Sequence, residues 1–281
     1  MTLRPSCPLA RRRAFSLLEI LVAVTLLTVI VSALLLTFTI TQRAFRLGVN
    51  QVDVMESGRT AMVLVGREVQ MVTTTGTSNS LDFLALLPNG SQPVTQRLPG
   101  GETRVNVLQQ LTFVSRVNDD WFVTAYRVRD DGLGVGALYR WIAQTNHADG
   151  VPALFALALA WQPDPARDSR VLDGVIHFRF IPFATLGGTN GLEVPEENLA
   201  AYGGVGYAFP DFRTTNALPA HLDLELGILE PQTLAHLRGK AGVGSFDPAA
   251  FLSERAGRVH LFKQRIPVRA SLPPYSTLFS R

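Results

Sequence analysis

The sequence predicts an α+β protein: a long N-terminal transmembrane-plus-amphipathic helix packed on an antiparallel β-rich globular head. Three observations predict it. From Leu17 to Ile40 the chain is apolar or hydroxyl-bearing throughout, with Glu19 as its only formal charge. No proline lies between Pro8 and Pro88, and the first glycine is Gly48, so no strong breaker interrupts a helix for several dozen residues. Beyond "TTTGTSNS" (73–80) the apolar period changes from helical spacing to alternation.

Residues 15–40 form the first element. A bilayer core takes about 20 residues of helix, so this segment is long enough to cross. A secretory signal has a shorter apolar stretch, roughly 7–15 residues, ending in a small-residue cleavage site, and no convincing site of that kind follows here. Arg4, Arg11, Arg12 and Arg13 precede the run without an acid among them, which places the N-terminus in the cytoplasm and the body on the far side. Arg43 and Arg46 dilute that signal without reversing it.

Residues 41–72 continue the helix with an amphipathic face. Phe45, Val49, Val52, Met55, Met62, Val65, Val69 and Val72 recur at helical spacings and are expected to face the head. A helix from residue 15 to about 72 would be about 87 Å long. Thr25, Thr28, Ser32, Thr37 and Thr39 dot its apolar part, and their hydroxyls are expected to bond back to their own helix.

The net charge of +3 arises from the leader, because its four arginines exceed the surplus. The body is close to neutral, and a nucleic-acid partner is not expected. The single cysteine, Cys7, precedes the apolar run, whereas a lipoprotein acceptor would follow it. Residues 15–281 therefore hold no thiol, which selects no redox compartment.

Glu19 is the anomaly of the apolar run. It is explained as a carboxylate reaching the cytoplasmic interface, where its cost is below the ~3 kcal/mol of a helix centre. A second explanation gives it a counter-charge. A cut between Ala14 and Phe15 would create an α-amine, with a pKa of about 8, four residues from Glu19. In an assembly the amine of one chain and the Glu19 of its neighbour would share the cost of low dielectric, and any packing that left the acid alone would be penalised.

Arg11, Arg12 and Arg13, the small Ala14, and then "FSLLEILVAVTLL" resemble the class III signal of type IV pilins and type II secretion pseudopilins. The resemblance covers about 25 residues. It implies a 1–14 basic leader removed by a prepilin peptidase/methyltransferase, cleavage between Ala14 and Phe15, N-methylation of Phe15, and Glu19 as the assembly glutamate. Ala14 departs from the glycine usual in the family. The resemblance further implies a structural subunit without catalytic role, cofactor or metal. It would be held in the bacterial inner membrane by a single pass, with a periplasmic head and other pilins or pseudopilins as partners.

The head, 73–281, reads as strands. "LDFLALL" is one; "QLTFVSRV" and "WFVTAYRVR" flank Asn118, Asp119 and Asp120 as a hairpin. "ALYRWIA" is another, and "VIHFRFI" sets Ile176, Phe178 and Phe180 against His177 and Arg179. "HLDLELGIL" turns Leu222, Leu224 and Leu226 inward and Asp223 and Glu225 outward. "RVHLFKQRIPVRAS" is an edge strand by its Pro267, and "EPQTLAHLRG" is a helix closed by Gly239. Segments 145–170 and 184–218, rich in Gly, Pro and Asp, read as surface loops. The order "VIHFRFIPF", loop, "LPAHLDLELGIL" resembles the J-type minor pseudopilins, in order and size more than in residues; the tail from "VHLFKQRIPVRAS" onward has no counterpart there.

Other chemistries fit less well. His147, His177, His221, His236 and His260 show no paired or HExxH spacing. "GLGVG" (132–136) lacks a strand-to-helix context for phosphate and reads as a turn. "NDD" and "RDDG" lack the spaced ligands of a calcium loop. Aromatics interleaved with arginine over 121–141 are explained by strand alternation. The alternative reading is an uncleaved bitopic protein whose β-rich head binds a ligand or surface polymer; a membrane-tethered enzyme lacks a constellation to support it.

Overall fold

The structure, a computed structural model, describes residues 16–76, 81–88, 93–98, 100–183, 212–214, 218–242 and 246–268. The chain divides into two compact units, residues 1–50 and 51–281. One helix, α1, runs over Leu17–Val69, so the uninterrupted helix expected from the lack of proline is present. In the first unit its described side chains from Leu17 to Arg46 are exposed. All five hydroxyls expected to bond back do so, from Thr25 Oγ1 to the Val22 carbonyl through Thr39 Oγ1 to that of Leu36.

In the second unit the strands are β1 (Phe83–Leu86), β2 (Val94–Arg97), β3 (Thr103–Asn106), β4 (Gln110–Val117), β5 (Asp120–Asp130), β6 (Gly136–Thr145), β7 (Ser169–Phe183), β8 (Phe212–Thr214), β9 (His221–Leu229) and β10 (Val259–Pro267). Three short helices join them: α2 (Val151–Ala160), α3 (Pro231–Lys240) and α4 (Pro248–Ser253). Eight strands form one sheet in the order β10-β9-β7-β6-β5-β4-β1-β8, with antiparallel neighbours, and β2–β3 form a separate ribbon. The α+β fold is thus present: a long apolar N-terminal helix followed by an antiparallel β-rich domain, consistent with a pilin-like fold.

The expected hairpin closes with Val117 opposite Asp120 around the two residues Asn118 and Asp119. Asn118 takes φ 58°, a left-handed angle that asparagine tolerates in such turns. The "GLGVG" segment turns β5 into β6. There Asp130 Oδ1 accepts from the amides of Gly132 (2.9 Å), Leu133 (3.2 Å) and Gly134 (3.0 Å).

The front face of the sheet takes α1. Val54, Ala61, Met62, Val65, Val69 and Val72 are buried there against Phe113, Tyr126, Leu138, Phe178, Leu224 and their neighbours. Each fully buried Val or Met contributes roughly 1.5–3 kcal/mol, so this stripe dominates the attachment. It differs from the expected stripe in its first half: Phe45, Val49, Val52 and Met55 are exposed, and Val54, Gly58 and Ala61 lie inward instead. Small residues carry that part of the face, and a count of large apolar side chains passes over them. A Cβ on Gly58 would strike the ring of Phe262.

Glu68 locks the helix against the sheet. Arg140 on β6 meets it twice, Nη2 to Oε1 at 2.8 Å and Nε to Oε2 at 3.1 Å, while Tyr126 Oη on β5 donates to Oε2. Burial, then the Glu68 carboxylate, pushes the Tyr126 phenol above its ordinary pKa. For Arg140 burial acts downward, but Glu68 outweighs it and holds the guanidinium above its usual range.

The back face carries two smaller cores. On one, Val151, Phe155 and Ala158 of α2 cover Leu84, Val114, Val123 and Ala125. On the other, Leu234 and Leu237 of α3, Phe251 and Leu252 of α4 and Val94 of β2 cover Val135, Ile176 and Leu229.

Several expectations need correction here. Segment 145–170 is not all loop: "VPALFALALA" is α2, with Pro152 in the first turn, where its missing amide costs nothing. Helix α3 passes Gly239 and ends at Lys240. Within 184–218, residues 212–214 form β8 on β1; residues 184–211 and 215–217 lie outside the described residues. Ile176 does not share the face of Phe178 and Phe180. A register shift between Val175 and His177, beside Gly174 at φ 73°, sends Ile176 to the back core.

Two measurements check this packing. Glu68→Gln leaves Arg140 and Tyr126 without their carboxylate and is expected to lower unfolding stability by ~3 kcal/mol in chemical denaturation. Gly227→Ala sets a Cβ 2.8 Å from the Cβ of His177 on the neighbouring strand and is expected to cost about 1–3 kcal/mol.

Candidate processing and assembly site

The residues that the sequence marks for processing, Arg11, Arg12, Arg13, Ala14 and Phe15, lie outside the described residues; Glu19 lies within them. Glu19 is in the first turn of α1 and is exposed. Its carboxylate has a partner within its own chain: Oε2 accepts from the backbone amide of Ser16 at 2.9 Å. In return the amide of Glu19 donates to Ser16 Oγ at 3.2 Å. This reciprocal pair is a capping box. It satisfies two of the amides that a helix start leaves without partners, and the acid complements the positive end of the helix dipole.

Sequence reasoning missed Ser16. The signal was present, since Ser-x-x-Glu ahead of an apolar run is a helix-start signature. In the structure Glu19 is a cap for its own helix.

The helix that follows is long and apolar enough to cross a membrane. A helix apolar on every side calls for lipid or other protein around it.

The head has a second concentration of polar groups, beneath the β2–β3 ribbon. His177, expected on a strand face, is only 2% exposed. Its Nδ1 accepts from the Val107 amide at 3.2 Å, so a neutral ring carries its hydrogen on Nε2, which lies 3.2 Å from Glu225 Oε2. Lys263 Nζ on β10 holds Glu225 Oε1 at 2.6 Å. Burial lowers the pKa of His177, with Glu225 opposing. Glu225 itself is held down to about 2, first by the hydrogen bond from His177, with Lys263 adding to it against burial. Asp223, expected to point outward with Glu225, is clasped by Arg265 at 2.7 and 2.8 Å. Among the described residues no three His, Cys, Asp or Glu side chains stand close enough together to hold a metal ion.

Residues 9–35 match the family described as the prokaryotic N-terminal methylation motif. No curated protein and no solved structure matches the chain. The match takes in Arg11 to Phe15 and Glu19 together, and it supports the type IV pilin and pseudopilin signal family. A motif of this type goes with processing by prepilin peptidase and with structural subunits rather than enzymes. With the apolar helix at the N-terminus, it also points to membrane anchoring.

The cap can be read directly. Ser16→Ala should cost about 1 kcal/mol at the helix start, seen as faster amide exchange over the first turn of α1 with the rest of the helix unchanged.

Proposed function

We propose that this chain is a minor pseudopilin-like structural subunit of a type II secretion or type IV pilus-like filament. In this reading prepilin peptidase cuts between Ala14 and Phe15, and Phe15 is then N-methylated. Arg11, Arg12 and Arg13 hold the leader on the cytoplasmic side, residues 15–40 lie in the bacterial inner membrane, and the head lies in the periplasm. The observation that carries the reading is the match of residues 9–35 to the prokaryotic N-terminal methylation motif, a span that includes Arg11 to Phe15 and Glu19. The continuous α1 and the antiparallel head agree with it. The sequence order "VIHFRFIPF" then "LPAHLDLELGIL", whose described parts include β7 and β9, supports a J-type subclass in arrangement only.

The chemistry follows from charge in a medium of low dielectric. Cleavage removes the leader's cations and leaves one α-amine at Phe15. That amine, from a neighbouring subunit, is the counter-charge that Glu19 lacks within the bilayer, and pairing fixes the register between subunits. Methylation keeps the amine charged, so the pair survives it.

A second reading is favoured by the capping box. Because Ser16 already gives the Glu19 carboxylate a partner in its own chain, an uncleaved bitopic protein with a ligand-binding or surface-binding head also accounts for the acid.

Mass spectrometry of the N-terminus from native cells separates the two. The filament reading expects methylated phenylalanine at residue 15; a chain that keeps Met1 and its arginines overturns it. Two substitutions then divide the roles of Glu19. Glutamine can still accept from the Ser16 amide but carries no charge. If pairing is the role, Glu19→Gln and Glu19→Ala should both insert and both fail to enter filaments. Filaments from Glu19→Gln alone would leave only the cap.

A further inference from the structure

We propose that His177 is a proton-operated clamp: neutral, it holds the β2–β3 ribbon on the back of the sheet, and protonated, it releases it. This inference stands on the head alone and is independent of how the N-terminus is processed.

The clamp begins with the seat. His177 lies opposite Gly227 in the β7–β9 register, and the missing Cβ of Gly227 leaves room for the histidine beside it. The ring then reaches the amide of Val107, the residue that directly follows β3. That bond is possible only while Nδ1 is bare. A second ring proton would sit on Nδ1 and face the Val107 N–H, donor against donor.

The charges around the ring do not compensate. Glu225 on β9 attracts the imidazolium, but Lys263 on β10 already occupies its other oxygen. Arg104 on β3 and Arg179 on β7 both oppose a further positive charge. Protonation therefore loses a hydrogen bond and adds a positive charge to a buried ring, where Glu225 favours it and Arg104 and Arg179 oppose it.

Among the described residues, the ribbon is also tied to the sheet by Val94 in the back core and by the attraction of Arg104 for Glu225. Gln96 Oε1 accepts from Asn106 Nδ2 (2.7 Å) and Arg104 Nη2 (2.8 Å), and Gln96 Nε2 donates to the Leu252 carbonyl (3.0 Å), so these bonds join the ribbon to itself and to α4. Arg104 Nε and Asn106 Oδ1 are buried without a hydrogen-bond partner, a penalty that opening would relieve. The next segment stays pinned, with Phe178 N donating to Val107 O at 2.6 Å and Gln109 N to Phe178 O at 2.8 Å. Val107 is therefore the pivot. Opening about it withdraws Val94 from the back core and uncovers Val135, Ile176 and Leu229.

The sign follows from linkage. His177 is depressed when the ribbon is closed and returns towards about 6.5 when it opens, so the open form binds the extra proton and gains as pH falls below that value. Glu225, held near 2 in the closed form, would contribute its own loss only as pH falls below 4.5, which separates the two effects.

Hydrogen exchange read by mass spectrometry on the full chain in detergent micelles, at pH 7.5 and 5.0 and corrected for intrinsic rates, tests the clamp. Each unit by which the closed form depresses His177 is about tenfold in opening. Peptides over 94–106 should therefore lose protection at pH 5.0, with the β4–β5 hairpin unchanged. His177→Asn places an amide oxygen where Nδ1 stood and cannot titrate, so its ribbon should stay protected at both values. Nitrogen NMR of labelled histidine in the unsubstituted chain supplies a readout free of any folding defect: Nδ1 should be bare at pH 7.5, and protonation should track ribbon exchange. Ribbon protection that does not change with pH, a loss that persists undiminished in a folded His177→Asn chain, or a proton on Nδ1 at pH 7.5 would each overturn the proposal.

Discussion

The head depends on how one helix meets one sheet, and Glu68 sets that contact. Apolar packing alone tolerates sliding and rotation, because it has no direction. A partly buried carboxylate held by two nitrogens of Arg140 and the hydroxyl of Tyr126 does not. Turning α1 by one residue would strand the charge, so the ion pair selects the single rotation that also buries Val54, Ala61, Met62, Val65 and Val69. The apolar stripe provides most of the energy, and the carboxylate provides the register.

That register leaves the back of the sheet to be covered piecemeal. No second long helix is present among the described residues, and three short helices and a two-stranded ribbon do the work. α2, without a polar side chain, lies over β4 and β5; α3, α4 and β2 share the other end. Between the strands, the shift at Val175–His177 turns Ile176 and His177 to this side, which creates both an apolar contact and a buried polar one. The polar contact is the less secure of the two, since every buried donor and acceptor there must find a partner.

At the opposite end of the chain the same principle acts on Glu19. An acid at the start of an apolar helix must be neutralised or hydrogen-bonded, and the Ser16 amide begins to do so. A hydrogen bond from a neutral amide is weaker compensation than a cation in low dielectric. The cap is therefore a partial answer to a desolvation problem that the proposed intersubunit pair would complete once an amine exists.

Much of this was legible in the residue order. The unbroken helix, the hairpin at Asn118–Asp119 and the boundaries of β4 and β9 follow from local rules of propensity, period and turn chemistry, which act over a few residues. The Ser16 cap is equally local. What the order of residues did not disclose depends on contacts between distant segments. The inward face of α1 runs through Gly58 and Ala61, whose smallness has meaning only beside Phe262 and the sheet. Helix α2 looked like loop because the Gly, Pro and Asp residues around it dominate the segment. His177 and Glu225 alternate with apolar neighbours as a solvated strand face would, and only the ribbon folding over them makes that face an interior. Sequence by itself determined the long N-terminal helix, most of the strands and an apolar segment long enough to cross a membrane, because hydrogen bonding and periodicity are short-range. Tertiary structure decided which side of each element is buried and which charges meet, because desolvation depends on everything that packs nearby.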